Sequence, residues 1–192
     1  MKVADFSNAK STVFSRGNMS GKIYILLTLI FLIMEKIVFL DRGGVISKTN
    51  VKTWDEFEFL PNAKKGIKLL NDNGFKILII TNQSVVGRGI ITEKTLNEIH
   101  EKMLKELNEC GCKIEKVYCC PHAPWDNCEC RKPKPGLLLK AAKDFDIDLK
   151  KCYFIGDSKT DAEAGKRAGC KTYLVSEHGD LLGIVRTIVE NK

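Results

Sequence analysis

Short apolar runs that alternate with amphipathic helical segments constrain the fold of this chain more than any other feature. Runs typical of strands occupy residues 37–40, 76–80, 113–119, 152–155 and 171–175. Apolar side chains at helical spacing occupy residues 62–73, 92–110, 135–145, 161–168 and 181–189. Glycines end several helical segments, as at Gly74 and Gly111. This alternation predicts an α/β fold with a parallel sheet covered by helices on both faces.

The length and charge are those of an ordinary globular protein. A chain of 192 residues has the length of one domain to one and a half domains. The net charge of +7 includes four basic residues against Asp5 in residues 1–33, which leaves a mild +4 for the remainder. That charge is spread through the helices, so we expect no nucleic-acid partner.

The first 33 residues differ from the rest, and we delimit the folded domain as residues 34–192. Residues 1–22 are polar with little periodicity, and residues 23–34 form an apolar run interrupted only by Thr28. That run is too short to span a bilayer, which needs about 20 residues. Three interpretations stay open: an extension upstream of a true start at Met34, a membrane-associated segment, or a segment that packs on the domain.

Three cysteines and a histidine are clustered within eleven residues: Cys120, His122, Cys128 and Cys130. Three thiolates and one imidazole form the ligand set of a closed, tetrahedral structural Zn²⁺ site. The alternatives are unliganded thiols or disulfides, and disulfides require an oxidising compartment. We interpret the other five cysteines as buried structural residues, because they lie in or beside apolar stretches.

Polar residues follow or end three of the expected strands: Asp41, Thr81 and Asp157. Ligands of open α/β sheets bind at the carboxyl ends of the strands, so these side chains should converge on one crevice. Two carboxylates suit Mg²⁺, and a carboxylate can also attack phosphorus. The cations Arg131 and Lys132 suit an anion such as phosphate. Asp41 and Asp157 could each instead cap a turn, but the combination favours phosphoryl chemistry.

From residue 34 to residue 175 the chain resembles the haloacid dehalogenase (HAD) superfamily. The four motifs, in order, are LDRGG at 40–44, TNQS at 81–84, CRKPKPG at 130–136 and GDSKTD at 156–161. The C-x-H…C-x-C loop is similar to that of a small branch containing heptose bisphosphate and histidinol-phosphate phosphatases. The resemblance implies a Rossmann-like, HAD-type core with a zinc-binding loop and no large cap. Residues 57–61 and 131–139 look more like the heptose enzymes.

The resemblance also implies a role for each matching residue. Asp41 is the expected nucleophile. The full expected sets are as follows: catalytic Asp41, Gly43, Thr81 and Lys132; substrate-binding Asn82, Gln83, Ser84 and Arg131; Mg²⁺-binding Asp41, Gly43, Asp157 and Ser158; Zn²⁺-binding Cys120, His122, Cys128 and Cys130; supporting Asp161.

One departure from the family pattern changes the functional expectation. Active members carry D-x-D-G, whereas this chain has Asp41-Arg42-Gly43-Gly44. The second Asp of that motif is the general acid and base. Gly43 can offer only its backbone, and loss of such a group typically costs about 10²–10⁴ in rate. Residues 46–53 also depart from the heptose enzymes, which usually carry an Asn and a Gly-Tyr pair that contact sugar in this segment.

The leading hypothesis is therefore an impaired Mg²⁺-dependent phosphatase acting on a small phosphorylated metabolite, expected to be a sugar phosphate resembling heptose bisphosphate. The alternatives are a histidinol-phosphate phosphatase and an inactive relative that binds a phosphorylated ligand or a partner. We expect a cytoplasmic monomer, with membrane contact only if residues 23–34 are an anchor.

Overall fold

A computed structural model describes residues 36–191 as a five-stranded parallel sheet with helices on both faces, in the order β3-β2-β1-β4-β5. The strands are β1 Lys36–Leu40, β2 Phe75–Asn82, β3 Lys116–Cys120, β4 Tyr153–Gly156 and β5 Lys171–Leu174. The α-helices are α1 Ala63–Asp72, α2 Ser84–Gly87, α3 Glu93–Glu109, α4 Gly136–Phe145, α5 Lys159–Ala168, α6 Val175–His178 and α7 Leu181–Glu190. Two single 3₁₀ turns cover Pro124–Asp126 and Leu149–Lys151. The expected fold class is confirmed.

The sheet is buried on both faces because the inner stretches of its central strands, residues 37–40 and 77–80, are apolar at every position. In β1, Val38 and Leu40 point to one face and Ile37 and Phe39 to the other, all at most 2% exposed. The first face packs against α1, α3 and α7, and the second packs against α4 and α5. Continuous apolar strands are what a parallel sheet covered on both sides requires.

Side-chain caps explain where several helices begin. The Thr92 hydroxyl accepts a hydrogen bond from the Thr95 amide and starts α3. At α5, Ser158 and Asp161 form a reciprocal capping box. Each cap satisfies an amide that the first helical turn leaves without a partner.

Some expected boundaries were wrong. We expected α5 to begin at Asp161, but it begins at Lys159 because Ser158 is the cap. Strand β2 continues to Asn82, since β3 lies alongside it as far as Cys120. Helix α2 and both 3₁₀ turns are too short to leave a periodic signal.

Cys110 is exposed rather than buried, because it caps the end of α3 in the turn before Gly111.

Between β1 and α1, the described chain has a compact loop over residues 41–62 and no inserted domain. Two isolated bridges hold the loop, Gly43 to Ser47 and Ser47 to Phe59. Phe57 stacks on Trp54 at a centroid distance of 4.8 Å. The expected absence of a large cap therefore agrees with the described part of the chain.

Within residues 36–191, every helix is too short or too polar to cross a membrane. The interpretations of residues 1–33 lie outside the described residues.

Candidate functional site

The site lies at the carboxyl ends of the central strands. Asp41 follows β1, Thr81 lies near the end of β2, and Asp157 follows β4. Because β1 pairs in parallel with both β2 and β4, their ends meet at one edge of the sheet. Asp41 and Asp157 join Asp161, from the first turn of α5, in a cluster whose carboxylate oxygens lie within 4.8 Å of one another. The sheet thus brings together residues that are distant in sequence.

Lys132 is the buried cation of this cluster. Its Nζ lies 2.9 Å from Oδ2 of Asp41 and 2.6 Å from Oδ1 of Asp161. It also donates a hydrogen bond to the Ile80 carbonyl at 3.0 Å. Burial opposes the charged form, but Asp41 and Asp161 outweigh it, so the pKa of Lys132 is raised. The ammonium is therefore fixed beside the carboxylate expected to react.

The three carboxylates carry more negative charge than Lys132 neutralises. Burial raises the pKa of Asp157 to about 6, with the charges of Asp41 and Asp161 adding to the effect. Burial also raises the pKa of Asp41 despite Lys132. At Asp161 burial is outweighed by Lys132 and Ser158, and the pKa is lowered. A cluster of oxygen ligands with excess negative charge fits a hard divalent cation such as Mg²⁺.

Two glycines allow the carboxylates to approach the backbone. Gly44 has φ +76°, and a Cβ there would lie 2.0 Å from Oδ2 of Asp157. A Cβ on Gly156 would lie 2.2 Å from the Cβ of Asp161. Any larger residue at these positions would displace the cluster.

Gly43 differs from these two glycines because it has room for a side chain. A Cβ at Gly43 would meet its nearest neighbour, Cγ2 of Thr49, at 3.4 Å, which is an ordinary contact. The residue borders an open cavity of about 400 Å³. The backbone at this position therefore has room for a Cβ, beside a cavity into which a longer side chain could extend.

A buried polar network lies behind the carboxylate cluster. The sequence patterns did not predict this network. Arg42 is fully buried, and its Nη1 lies 3.0 Å from Nε2 of His100. Its Nη2 donates to Oε1 of Gln83 at 2.8 Å, and Gln83 donates to Oγ1 of Thr81 at 2.7 Å. The available signal was a histidine on the apolar side of α3, four residues after Leu96.

The other expected site residues border the same region. The Asn82 side chain pairs with both backbone groups of Lys132, and Ser84 and Arg131 line the cavity. The Ser158 hydroxyl donates to Asp161 at 2.7 Å. Both Asn82 and Gln83 thus use their side chains within the protein.

The four residues of the cysteine–histidine loop lie together as expected. Cys120 Sγ lies 3.5 Å from Cys128 Sγ, and Cys130 Sγ lies 3.4 Å from Cys128 Sγ and 3.2 Å from His122 Nδ1. Ligands about 2.3 Å from a tetrahedral centre lie about 3.8 Å apart, so the set is close to the size that Zn²⁺ requires. The eight cysteines, all between residues 110 and 170, are free thiols.

The loop is packed tightly against its surroundings. A Cβ on Gly136 would lie 2.2 Å from the Glu129 carbonyl, and one on Gly87 would lie 2.4 Å from the Ala123 amide. Gly87 also donates its amide to the Pro121 carbonyl at 2.8 Å. The loop therefore sits between α2 and the start of α4. It continues through Arg131 to Lys132, and the cis Lys132–Pro133 peptide then leads toward α4.

Comparisons with known proteins agree with this geometry. Residues 129–179 match the HAD-hydrolase-like family model. A D-glycero-β-D-manno-heptose-1,7-bisphosphate 7-phosphatase of Bordetella bronchiseptica is 38% identical over 143 residues, covering 73% of this chain and 80% of the relative. One from Helicobacter pylori strain 26695 is 40% identical over 144 residues, covering 73% and 83%.

Solved structures show the same fold. The D,D-heptose 1,7-bisphosphate phosphatase of B. bronchiseptica, complexed with magnesium and phosphate, has a TM-score of 0.77 at 32% identity, covering 82% of this chain and 99% of that one. The enzyme of Burkholderia thailandensis has a TM-score of 0.62 at 27% identity, covering 81% and 99%. The expected resemblance is confirmed: the chain belongs to the heptose bisphosphate phosphatase family of HAD-like phosphoric monoester hydrolases.

Proposed function

We propose that this protein is a Mg²⁺-dependent phosphatase of a sugar-phosphate monoester resembling heptose bisphosphate, with impaired turnover. The observation that carries the proposal is the contact of Asp41 with Lys132, beside Asp157 and Asp161 at the strand ends. An acceptor carboxylate, a fixed ammonium and a cation site are the parts that phosphoryl transfer needs. The names of the relatives support a sugar phosphate as the substrate.

Within this site, Asp41 attacks phosphorus and becomes an aspartyl-phosphate. Lys132 and Thr81 stabilise the transferring phosphoryl group, while Arg131 and Ser84 face the substrate from the cavity wall. Asp41, Asp157 and the Gly43 carbonyl would hold Mg²⁺, with Ser158 beside them, and the ion would neutralise charge on the phosphoryl oxygens.

The polar network refines the expected roles of Asn82 and Gln83. Asn82 hydrogen-bonds the backbone of Lys132, so it positions the ammonium. Gln83 connects Arg42 to Thr81 and orients the threonine hydroxyl. Asn82 and Gln83 thus both act by positioning neighbouring groups. Direct substrate contact, the role expected for them from the family resemblance, would be a second role. Asp161 likewise holds Lys132 and the start of α5 in place.

We propose that Zn²⁺ has a structural role in this protein. Cys120, His122, Cys128 and Cys130 supply four protein ligands, which leaves no position for a reacting water. The metal would hold the loop that leads into Arg131 and Lys132.

We retain the remaining expectations as proposals: a cytoplasmic monomer whose folded domain spans residues 34–192. A histidinol-phosphate phosphatase and a non-catalytic relative are the competing functions, and Gly43 is the observation that favours the latter.

Phosphate release with Mg²⁺ tests the proposed function. We would compare heptose 1,7-bisphosphate, histidinol phosphate and p-nitrophenyl phosphate, using Asp41→Asn as the inactive control. We expect weak activity, greatest on the nitrophenyl ester and greater on the heptose than on the histidinol compound. Activity that survives in Asp41→Asn would overturn the assigned nucleophile.

A further inference from the structure

Among residues 36–191, no side chain that lines the cavity beside Gly43 could replace the missing acid and base. Its walls contain guanidinium, hydroxyl, amide and apolar groups only, from Arg42, Gly43, Thr49, Asn50, Asn82, Gln83, Ser84, Val85, Arg131, Ser158 and Thr160. None of these lining groups exchanges a proton readily near neutral pH. The departure at Gly43 is therefore not compensated by another residue of the cavity wall.

Titratable groups behind the wall do not fill the role either. The Nε2 of His100 faces the guanidinium of Arg42, and burial together with Arg42 lowers its pKa to about 4. Asp161 is held by Lys132 and Ser158. Asp157 is a ligand of the proposed Mg²⁺ site, with Asp41 and Asp161 beside it. Among the described residues, the site can therefore position a phosphoryl group, but no uncommitted side chain faces the cavity to deliver or remove a proton.

The missing acid affects the first half-reaction only through the leaving group of the phosphoryl donor. An Oδ atom of Asp41 forms a bond to phosphorus, and the bond from phosphorus to the leaving oxygen breaks with its electron pair. A sugar hydroxyl leaves as an alkoxide, which needs a proton. The carboxylate of an acyl phosphate needs none, since its conjugate acid has a pKa close to that of Glu, about 4.3. Acyl phosphates can thus load Asp41 at neutral pH.

The second half-reaction is slowed for every donor. Water attacks the phosphorus of the aspartyl-phosphate, the bond to Asp41 breaks, and the released phosphate keeps the proton that the water loses. A general base normally takes that proton during the attack and contributes about 10²–10⁴ in rate. With Gly43 in its place, loading is faster than hydrolysis whenever the donor has an acidic leaving group.

From these two half-reactions we propose that the protein is a phosphoryl acceptor, which takes a phosphoryl group from acyl phosphates onto Asp41 and retains it. This inference rests on the proposed function for its nucleophile and deepens it by naming a donor class. It predicts a protein whose dominant state in the presence of such donors is the phosphorylated one.

The test follows the phosphorylated protein rather than turnover. The full chain is incubated with Mg²⁺ and acetyl phosphate, and intact mass is measured before and after the donor is removed. We expect a gain of one phosphoryl group per chain, absent in Asp41→Asn, that decays about 10²–10⁴ times more slowly than in Gly43→Asp. Gly43→Asn, whose new side chain has the size of Asp but no acid–base function, should lose the group more slowly than Gly43→Asp.

A second measurement covers the case in which Gly43→Asp fails to fold. With p-nitrophenyl phosphate, the native chain should release one equivalent of nitrophenol per chain in a burst, followed by a slow phase. Linear release with no burst and no mass gain would overturn the acceptor proposal.

The two proposals fail in different ways. If Gly43→Asp hydrolyses sugar phosphates but the native chain is never phosphorylated, the acceptor proposal falls and the proposed function stands. If the native chain is phosphorylated but no variant hydrolyses a sugar phosphate, the acceptor proposal stands and the proposed substrate falls. If neither reacts, both fall.

Discussion

Gly43 is the residue on which the chemistry of this protein depends most. Its neighbours Asp41 and Gly44 have the contacts that a phosphoryl-transfer site needs, with Lys132 on one side and Asp157 on the other. We therefore expect the missing carboxylate to affect proton transfer and to leave the positioning of the phosphoryl group intact. Positioning and charge stabilisation supply most of the catalysis in phosphoryl transfer, which is why weak activity is the expected outcome.

Restoring the carboxylate should restore turnover. We expect Gly43→Asp to raise phosphate release from sugar phosphates by about 10²–10⁴. It should change the nitrophenol burst from p-nitrophenyl phosphate much less, because that burst reports the loading of Asp41 by a donor whose leaving group needs no proton. Gly43→Asn introduces a side chain of the size of Asp without its acid–base function, so it should give a much smaller gain than Gly43→Asp. Phosphate release and the nitrophenol burst, both measured with Mg²⁺, test this, and an equal gain from Asp and Asn would show that the effect is not acid–base chemistry.

His100 should make folding stability depend on pH. Burial and Arg42 lower its folded-state pKa to about 4, against 6.5 for the unfolded chain. The unfolded state thus binds more protons between these values, so stability present above pH 6.5 is lost as the pH falls toward 4. From pH 7 to pH 5 the contribution falls by about 2 kcal/mol.

The matched variant is His100→Gln, because glutamine can accept the Arg42 hydrogen bond but does not titrate. Urea unfolding at pH 5 and pH 7 should show a smaller loss on acidification in the variant than in the native chain. Equal losses in both proteins would exclude His100 as the source. The comparison cancels the contribution of Asp157 and of other carboxylates.

At the scale of elements, the cysteine–histidine loop holds the segment that carries Lys132. The loop joins β3 to α4, and Gly136 brings the start of α4 against the Glu129 carbonyl. Asn82, at the end of β2, fixes the Lys132 backbone from the other side. A metal in the loop would therefore act on the site through the position of Lys132.

Zinc removal tests this arrangement. We expect about one Zn²⁺ per chain by elemental analysis, lost in Cys128→Ser together with thermal stability, because the ligands are brought together by the folded loop. Cys110→Ser is the control, since that thiol is exposed and lies outside the cluster. A protein that keeps its full melting temperature after verified zinc removal would contradict a structural metal.

At the scale of the whole molecule, the strand order places the site. Strand β1 lies at the centre of the sheet between β2 and β4, so the residues that follow it meet both neighbours. Two apolar clusters built from residues 37–188 close the two faces of the sheet. Burial of this apolar surface is the main contribution to folding.

Because these clusters are formed by the described residues, a chain that begins at Met34 should fold without residues 1–33. We expect the truncated chain to be soluble, to bind the same amount of zinc per chain as the full chain, and to show the far-ultraviolet circular dichroism of a folded α/β protein. Size-exclusion chromatography, circular dichroism and elemental analysis measure this. Loss of folded protein on truncation would show that residues 1–33 pack on the domain.

The sequence by itself determined the fold class, the strand-end position of Asp41, Thr81 and Asp157, and the clustering of three cysteines with one histidine. Those features are local: strand and helix periods, and short motif spacings, are encoded within windows of a few residues. The departure at Gly43 was equally visible there. The roles of these residues stay predictions, since they depend on reactions that have yet to be measured.

Only the tertiary structure decided which charged groups meet. The two ion pairs of Lys132, the burial of Arg42 against His100, and the close approach of Gly44 to Asp157 join residues far apart in the chain. They depend on strand order and register, which no local period encodes. Helix α2 was equally hidden, because its four residues span barely one turn. The absence of an acid or base from the cavity wall also became visible only once that wall was assembled.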